Sequence, residues 1–242
     1  MDTPSSIDRP SAPFSYNFVE GELLLLDKPL DWTSFDVVNK IRGTISRSIG
    51  RKLKVGHAGT LDPRATGLLL ICTGKKTKTI DALQGMDKVY TATFHLGATT
   101  PTFDTESEID KTFPTEHINE DLILETAKLF EGIQIQRPPA HSAVKIKGKR
   151  AYELARKGEE VKTKERQIEV LSFKVLSVEM PYVSVEIHCS KGTYIRSLAS
   201  DFGLKIGSGA YLKELRRTKI GDYSVADAIE VQAFQQMISP SE

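Results

Sequence analysis

The chain has 242 residues, 39% of them hydrophobic and 27% charged, with a mean hydropathy of −0.27; this suits a packed globular protein and argues against a disordered one. No apolar run approaches the roughly 18 residues that a membrane span needs, so no membrane partner is expected. The net charge of +1 does not announce a nucleic-acid binder, and the 2 cysteines and 5 histidines show no metal-ligand spacing, so no metal is expected.

Residues 1–17 are rich in Pro and Ser and lack a basic start followed by an apolar stretch. They read as a disordered tail rather than a signal peptide, with the cytoplasm as the simplest compartment. Residues 23–26 are a short apolar run before the turn Asp27-Lys28-Pro29 and read as a buried strand. Thr33 or Ser34 can cap a helix that carries Val37, Val38, Ile41 and Ile45 on one face. A basic connection and a Gly-rich loop, 56–67, lead to a second apolar strand at 68–72.

Tyr90, Ala92, Phe94 and Leu96 alternate with polar residues, as do Val183, Val185, Ile187 and Cys189; this is strand periodicity. Residues 118–130 read as a helix that stops at Gly132, 193–206 as another, and 225–238 as a last amphipathic stretch. Cys72 and Cys189 sit in apolar or alternating runs and read as buried, reduced thiols. Half-wet strands mixed with helices fit an α+β fold with a mixed, mainly antiparallel sheet and flanking helices. No spare apolar face is apparent, and a monomer is expected.

The charge is unevenly spread. Residues 137–166 hold ten basic against four acidic side chains, and 101–131 hold nine acidic against two basic. Such polarity can present a basic face to phosphates while the total stays near zero, although two ordinary solvated faces would give the same count. Residues 18–242 are read as one domain, with 137–166 as a basic insertion.

The densest chemical signal is Gly56-His57-Ala58-Gly59-Thr60-Leu61-Asp62-Pro63-Arg64-Ala65-Thr66-Gly67. Glycines let backbone approach a ligand closely, and Pro63 stiffens the chain next to Asp62. A carboxylate held there could serve as nucleophile or general base, or could close a tight turn. Arg196, in Cys189-Ser190-Lys191-Gly192-Thr193-Tyr194-Ile195-Arg196, falls early in a helix. A cation is unfavourable there against the helix dipole unless it pairs with a carboxylate. Tyr90, at the start of an alternating strand, could stack on a base or fill a core. The segment from Arg137 through Lys145, Lys147, Lys149 and Arg150 begins rigid and turns basic, which suits tracking of an RNA backbone or a solvated hairpin. Thr73-Gly74-Lys75-Lys76-Thr77 lacks P-loop spacing, and Gly207-Ser208-Gly209 lacks the third glycine of a dinucleotide fingerprint.

In order and spacing these motifs, together with Gly21 to Pro29, Trp32-Thr33-Ser34, Lys88-Val89-Tyr90 and Leu215-Arg216-Arg217, resemble the TruB family of tRNA pseudouridine-55 synthases. The resemblance runs from Gly21 to about Ala228. It implies a pseudouridine synthase fold with an RNA-binding cleft, Asp62 as the catalytic aspartate, Tyr90 against the target base and Arg196 paired with Asp62. It implies that His57 contacts the RNA beside a flipped nucleotide. Segment 137–166, with Arg137, Lys145, Lys147, Lys149 and Arg150, would close over the T-arm of transfer RNA, and Lys191 would join the RNA contacts. No cofactor is implied. Many members of the family carry a C-terminal RNA-binding PUA domain, for which this sequence leaves no room; the expectation is either a weaker affinity for the tRNA body or a larger share of the binding for the insertion and the basic surface.

Overall fold

The structure, a computed structural model, describes residues 16–238 other than 143, 147, 156, 160 and 162. Among the described residues ten strands form one sheet: β1 (Leu23–Lys28), β2 (Val55–His57), β3 (Ala65–Thr73), β4 (Lys88–Leu96), β5 (Gly132–Gln136), β6 (Arg166–Glu179), β7 (Tyr182–Cys189), β8 (Ala210–Ile220), β9 (Tyr223–Ser224) and β10 (Ile229–Glu230). The order is β10-β1-β3-β8-β4-β7-β6-β5, with β2 added to β3 and β9 to β8. The β1–β10 and β3–β8 pairs are parallel and the others antiparallel. The helices are α1 (Ser34–Ser48), α2 (Ile80–Gly85), α3 (Glu120–Lys128), α4 (Ala151–Ala155), α5 (Ile195–Lys205) and α6 (Val231–Ile238). This is the mixed, mainly antiparallel α+β architecture that the sequence pattern predicts. None of the described helices is long and apolar enough to cross a membrane.

The pattern of each strand follows from what covers it. β3 is apolar without interruption because both its faces are covered. Leu69 and Ile71 pack with Val37, Val38, Ile41 and Ile45 of α1 and Phe234 of α6, whereas Leu68, Leu70 and Cys72 pack with Leu83 and Ile220. β4 and β7 alternate because each buries one face. That face meets α3 and α5 around Phe94, Phe130, Phe173 and Phe202, and the Phe173 and Phe202 rings stack with centroids 5.8 Å apart. Thr33 caps α1 through a capping box with Asp36, which supplies partners for free backbone donors at both ends of the motif. Cys72 and Cys189 are buried free thiols, as expected.

Gly67 allows β8 to lie beside β3. Its φ is +104°, and a Cβ there would stand 2.3 Å from the Arg217 carbonyl oxygen. The two residues are register partners, so any side chain at 67 would collide with the backbone of the neighbouring strand.

Several expected boundaries shift. The predicted 118–130 helix is shortened to Glu120–Lys128, because the Asn119 side chain accepts the Leu122 N–H and caps it; Gly132 opens β5 instead. The 193–206 helix spans Ile195–Lys205. The stretch 225–238 is not one element: Ile229 and Glu230 pair in parallel with Leu26 and Asp27, and this pairing separates a short 3-10 turn from α6. Tyr16, placed in the tail by the sequence reading, packs on Phe18 and Phe234; residues 1–15 of that tail lie outside the described residues. The expectation that no apolar face is left over is not met, since Ile133 and Ile135 on the edge strand β5 are 68% and 66% exposed.

The basic insertion leaves the sheet at β5 and returns at β6, which are paired with Arg166 opposite Gln136. Its two ends therefore share one edge. Within it, Lys145–Ile146 pairs with Lys149–Arg150, followed by α4.

Candidate active site

Asp62 stands on the loop between β2 and β3. Its carbonyl oxygen accepts the Ala65 N–H, which closes the turn into β3. The loop is anchored from both sides. The Ser34 hydroxyl bridges the Leu61 backbone N–H and C=O. The buried Lys28 ammonium donates to the carbonyls of Pro29, Trp32 and Pro63, and burial lowers its pKa to about 8.

Asp62 opens into a cleft of about 370 Å³ lined also by Tyr90 of β4, Arg196 of α5, and Leu215 and Arg217 of β8. Arg196 Nε is 2.9 Å from Asp62 Oδ2. The N–H is not aligned for a hydrogen bond, so the contact is an ion pair. The remaining guanidinium nitrogens are also engaged: Nη2 donates to the His141 carbonyl, Nη1 donates to that of Thr102, and Nη1 lies 3.4 Å from Asp104. Asp104 is itself fixed by the Thr102 hydroxyl and the Glu106 N–H. A cation in the first turn of a helix is thus stabilised by two carboxylates, which resolves the dipole conflict noted in the sequence.

Arg217 is a second buried cation. It donates to the carbonyls of Leu68, Gly59 and Thr60 and shares a hydrogen bond with Tyr90. Burial pushes the Tyr90 phenol up to about 12, partly opposed by Arg217, so Tyr90 presents a neutral ring at physiological pH. Lys88, also lining the cleft, donates to the Gln84 and Met86 carbonyls. Burial, aided by Arg217, lowers its pKa to about 8.

Of the residues expected to act, Asp62, Tyr90 and Arg196 are brought together. His57 lies on β2 and does not line the cleft; burial lowers its pKa and its Nδ1 is covered without a partner. Arg137 pairs with Glu165 at 2.6 Å on the surface. Lys145 and Arg150 are placed by their backbones in the small hairpin, Lys149 is exposed there, and Lys147 lies outside the described residues. Lys191 is exposed in the turn before Gly192, which does line the cleft. Sequence reasoning missed Asp104, Lys88, Arg166 and Arg217 as site residues. The last had a signal only in the Leu215-Arg216-Arg217 motif, because the charged Lys213, Glu214 and Arg216 around it mask a buried arginine.

The family model described as TruB family pseudouridylate synthase, N-terminal domain, matches residues 47–195, and that described as tRNA pseudouridylate synthase B C-terminal domain matches 196–241. A protein of Flavobacterium johnsoniae named tRNA pseudouridine synthase B is 54% identical over 223 residues, covering 91% of this chain and 97% of that protein. One of the same name from Chlorobaculum tepidum is 54% identical over 221 residues, covering 91% and 92%. Among solved structures, a chain of a Cbf5-Nop10-Gar1 complex is 31% identical with a TM-score of 0.67, covering 90% of this chain and 54% of that one. This chain therefore spans about half the length of that solved relative. The fold and cleft define a pseudouridylate synthase. The chain belongs to the TruB family.

Proposed function

We propose that this protein converts uridine 55 in the T-loop of transfer RNA to pseudouridine, with Asp62 as its catalytic carboxylate. The observation that carries the reading is that, among the described residues, Asp62 is the single acidic side chain lining the cleft, which it shares with Lys88, Arg166, Arg196 and Arg217. A cleft so charged attracts a polyanion and leaves one carboxylate to do the chemistry.

A uridine inside a folded loop is reached by flipping it out of its stack, at a cost of a few kcal/mol. Phosphate contacts and stacking on the neutral Tyr90 ring offset that cost. The C1′–N1 bond then breaks, the uracil turns, a C1′–C5 bond forms, the C5 proton leaves and N1 gains one. Product and substrate are isomers, so the balance calls for no oxidant, reductant or cofactor. The accessible Asp62 oxygens can serve at C1′, at C6 or at the departing C5 proton, and Arg196 holds the carboxylate in place for any of these. His57, Arg137, Lys145, Lys147, Lys149, Arg150 and Lys191 are assigned to the T-arm, and residues 18–242 to one catalytic domain acting as a monomer.

The test uses transfer RNA transcript tritiated at C5 of uridine. Release of about one equivalent of tritium per RNA, abolished when the T-loop uridine is replaced, is the expected result. Tight binding without release would sink the reaction, and release independent of the T-loop uridine would sink the substrate.

A further inference from the structure

The cations of the cleft are not equivalent. Arg196 is committed to Asp62 and Asp104, Arg217 to three carbonyls, and Lys88 to two. Arg166 lines the same cleft, yet its Nε and Nη2 have no hydrogen-bond partner although both atoms are buried. It makes no ion pair among the described residues; the adjacent Glu165 is taken by Arg137. One face of the guanidinium lies on the Tyr194 ring, 4.6 Å from its centroid. Gly192 sits against Nη1, where a Cβ would come within 3.1 Å. The plane of the group is therefore set while its bidentate edge, Nε with Nη2, is uncommitted. That edge matches two oxygens of a phosphate or carboxylate, and a buried donor without a partner is a position that a ligand completes.

Resting on the RNA reading above, we infer that Arg166 is a positioning residue that grips one backbone phosphate of the RNA at or next to the flipped nucleotide. Its place in the fold strengthens the assignment. Arg166 is the first residue of β6, at the root of the basic insertion and paired with Gln136 of β5. Both donors are covered in the free chain, and a phosphate arriving there supplies the partner they lack. A phosphate held there ties the RNA backbone to the base of the insertion and, through Tyr194 and the start of α5, to the helix that carries Arg196.

The experiment measures binding of a T-arm RNA by fluorescence anisotropy over a salt series, together with single-turnover rates, for wild type, Arg166→Gln and Arg166→Lys. A set of RNAs carries one neutral methylphosphonate at each linkage around the target. Arg166→Gln is expected to weaken binding about tenfold and to make the slope of log K against log salt shallower by about 0.7–0.9, one phosphate contact. The single-turnover rate at subsaturating enzyme is expected to fall in step with the affinity. Arg166→Lys restores the slope but not the full affinity, because the charge returns without the fork. At one linkage, neutralisation weakens wild type and leaves Arg166→Gln unchanged. Unchanged affinity and slope in Arg166→Gln, or phosphate effects that ignore residue 166, would overturn the assignment. Anisotropy does not depend on turnover, so a residue-166-dependent phosphate effect without tritium release would refute the reaction and leave this contact standing.

Discussion

Arg196 and Asp62 form an ion pair in which one partner is sealed and the other open: the arginine side chain is 4% exposed and the aspartate 34%. The carboxylate can meet substrate while its counter-charge stays out of water, where electrostatic attraction is stronger. Asp62→Asn is nearly isosteric, keeps the loop contacts and removes the anionic oxygen. Turnover is expected to fall below detection while RNA affinity stays within a few fold. Tritium release beside a binding isotherm checks this, and substantial residual release would remove Asp62 from the chemistry.

Arg196 also neutralises Asp104, which is buried. Arg196→Ala leaves Asp104 without its cation and is expected to cost ~3–5 kcal/mol of stability as well as about 100-fold in rate through a displaced Asp62. Asp104→Asn keeps the shape and removes the charge, so its stability loss is smaller while its rate still falls. Chemical denaturation and single-turnover rates separate the two effects; an Asp104→Asn enzyme with the wild-type rate would show that Asp104 serves the fold alone.

Tyr90→Phe preserves the ring and deletes the hydroxyl that meets Arg217. Arg217 keeps its carbonyl partners, so the expected stability loss is only about 1 kcal/mol. If the ring face is what matters, the rate survives within about tenfold, whereas Tyr90→Leu loses far more. Equal losses in the two variants would assign the effect to the hydroxyl.

Lys88 supplies a pH test. Its folded pKa is about 8, against 10.5 for an ordinary lysine, chiefly because of burial. Between those values the unfolded chain holds more protons than the folded one, so this residue makes stability rise with pH. Below pH 8 both states are charged and the cost of burying the ammonium is fully present. Wild type should therefore gain on Lys88→Met as pH climbs from 8 towards 10.5, as read from denaturation midpoints. A constant difference across that range would contradict the shift.

Much of this architecture is legible in the residues. The continuous apolar run of β3, the alternation of β4 and β7 and the capped face of α1 each declare what covers them. What could not be read locally depends on distant partners. Asp104 sits in an acidic stretch and looks like surface charge until Arg196 arrives from 92 residues later in the chain. β8 is hard to recognise because Lys213, Glu214, Arg216 and Lys219 break its apolar pattern, while one of its fully buried positions is held by an arginine. Ile229 and Glu230 become a strand only because Leu26 and Asp27 offer them an edge.

The position of β8 also bears on how the protein is made. It lies between β3 and β4 in the middle of the sheet, although both neighbours precede it in the chain by more than a hundred residues. A nascent chain emerging from the ribosome must hold β3 and β4 apart, or let them part again, until β8 is released. Because β8 brings Arg217 and Leu215 into the cleft, the cleft is complete only once β8 has been made. The growing polypeptide cannot close a finished cleft around RNA before its own central strand has been delivered.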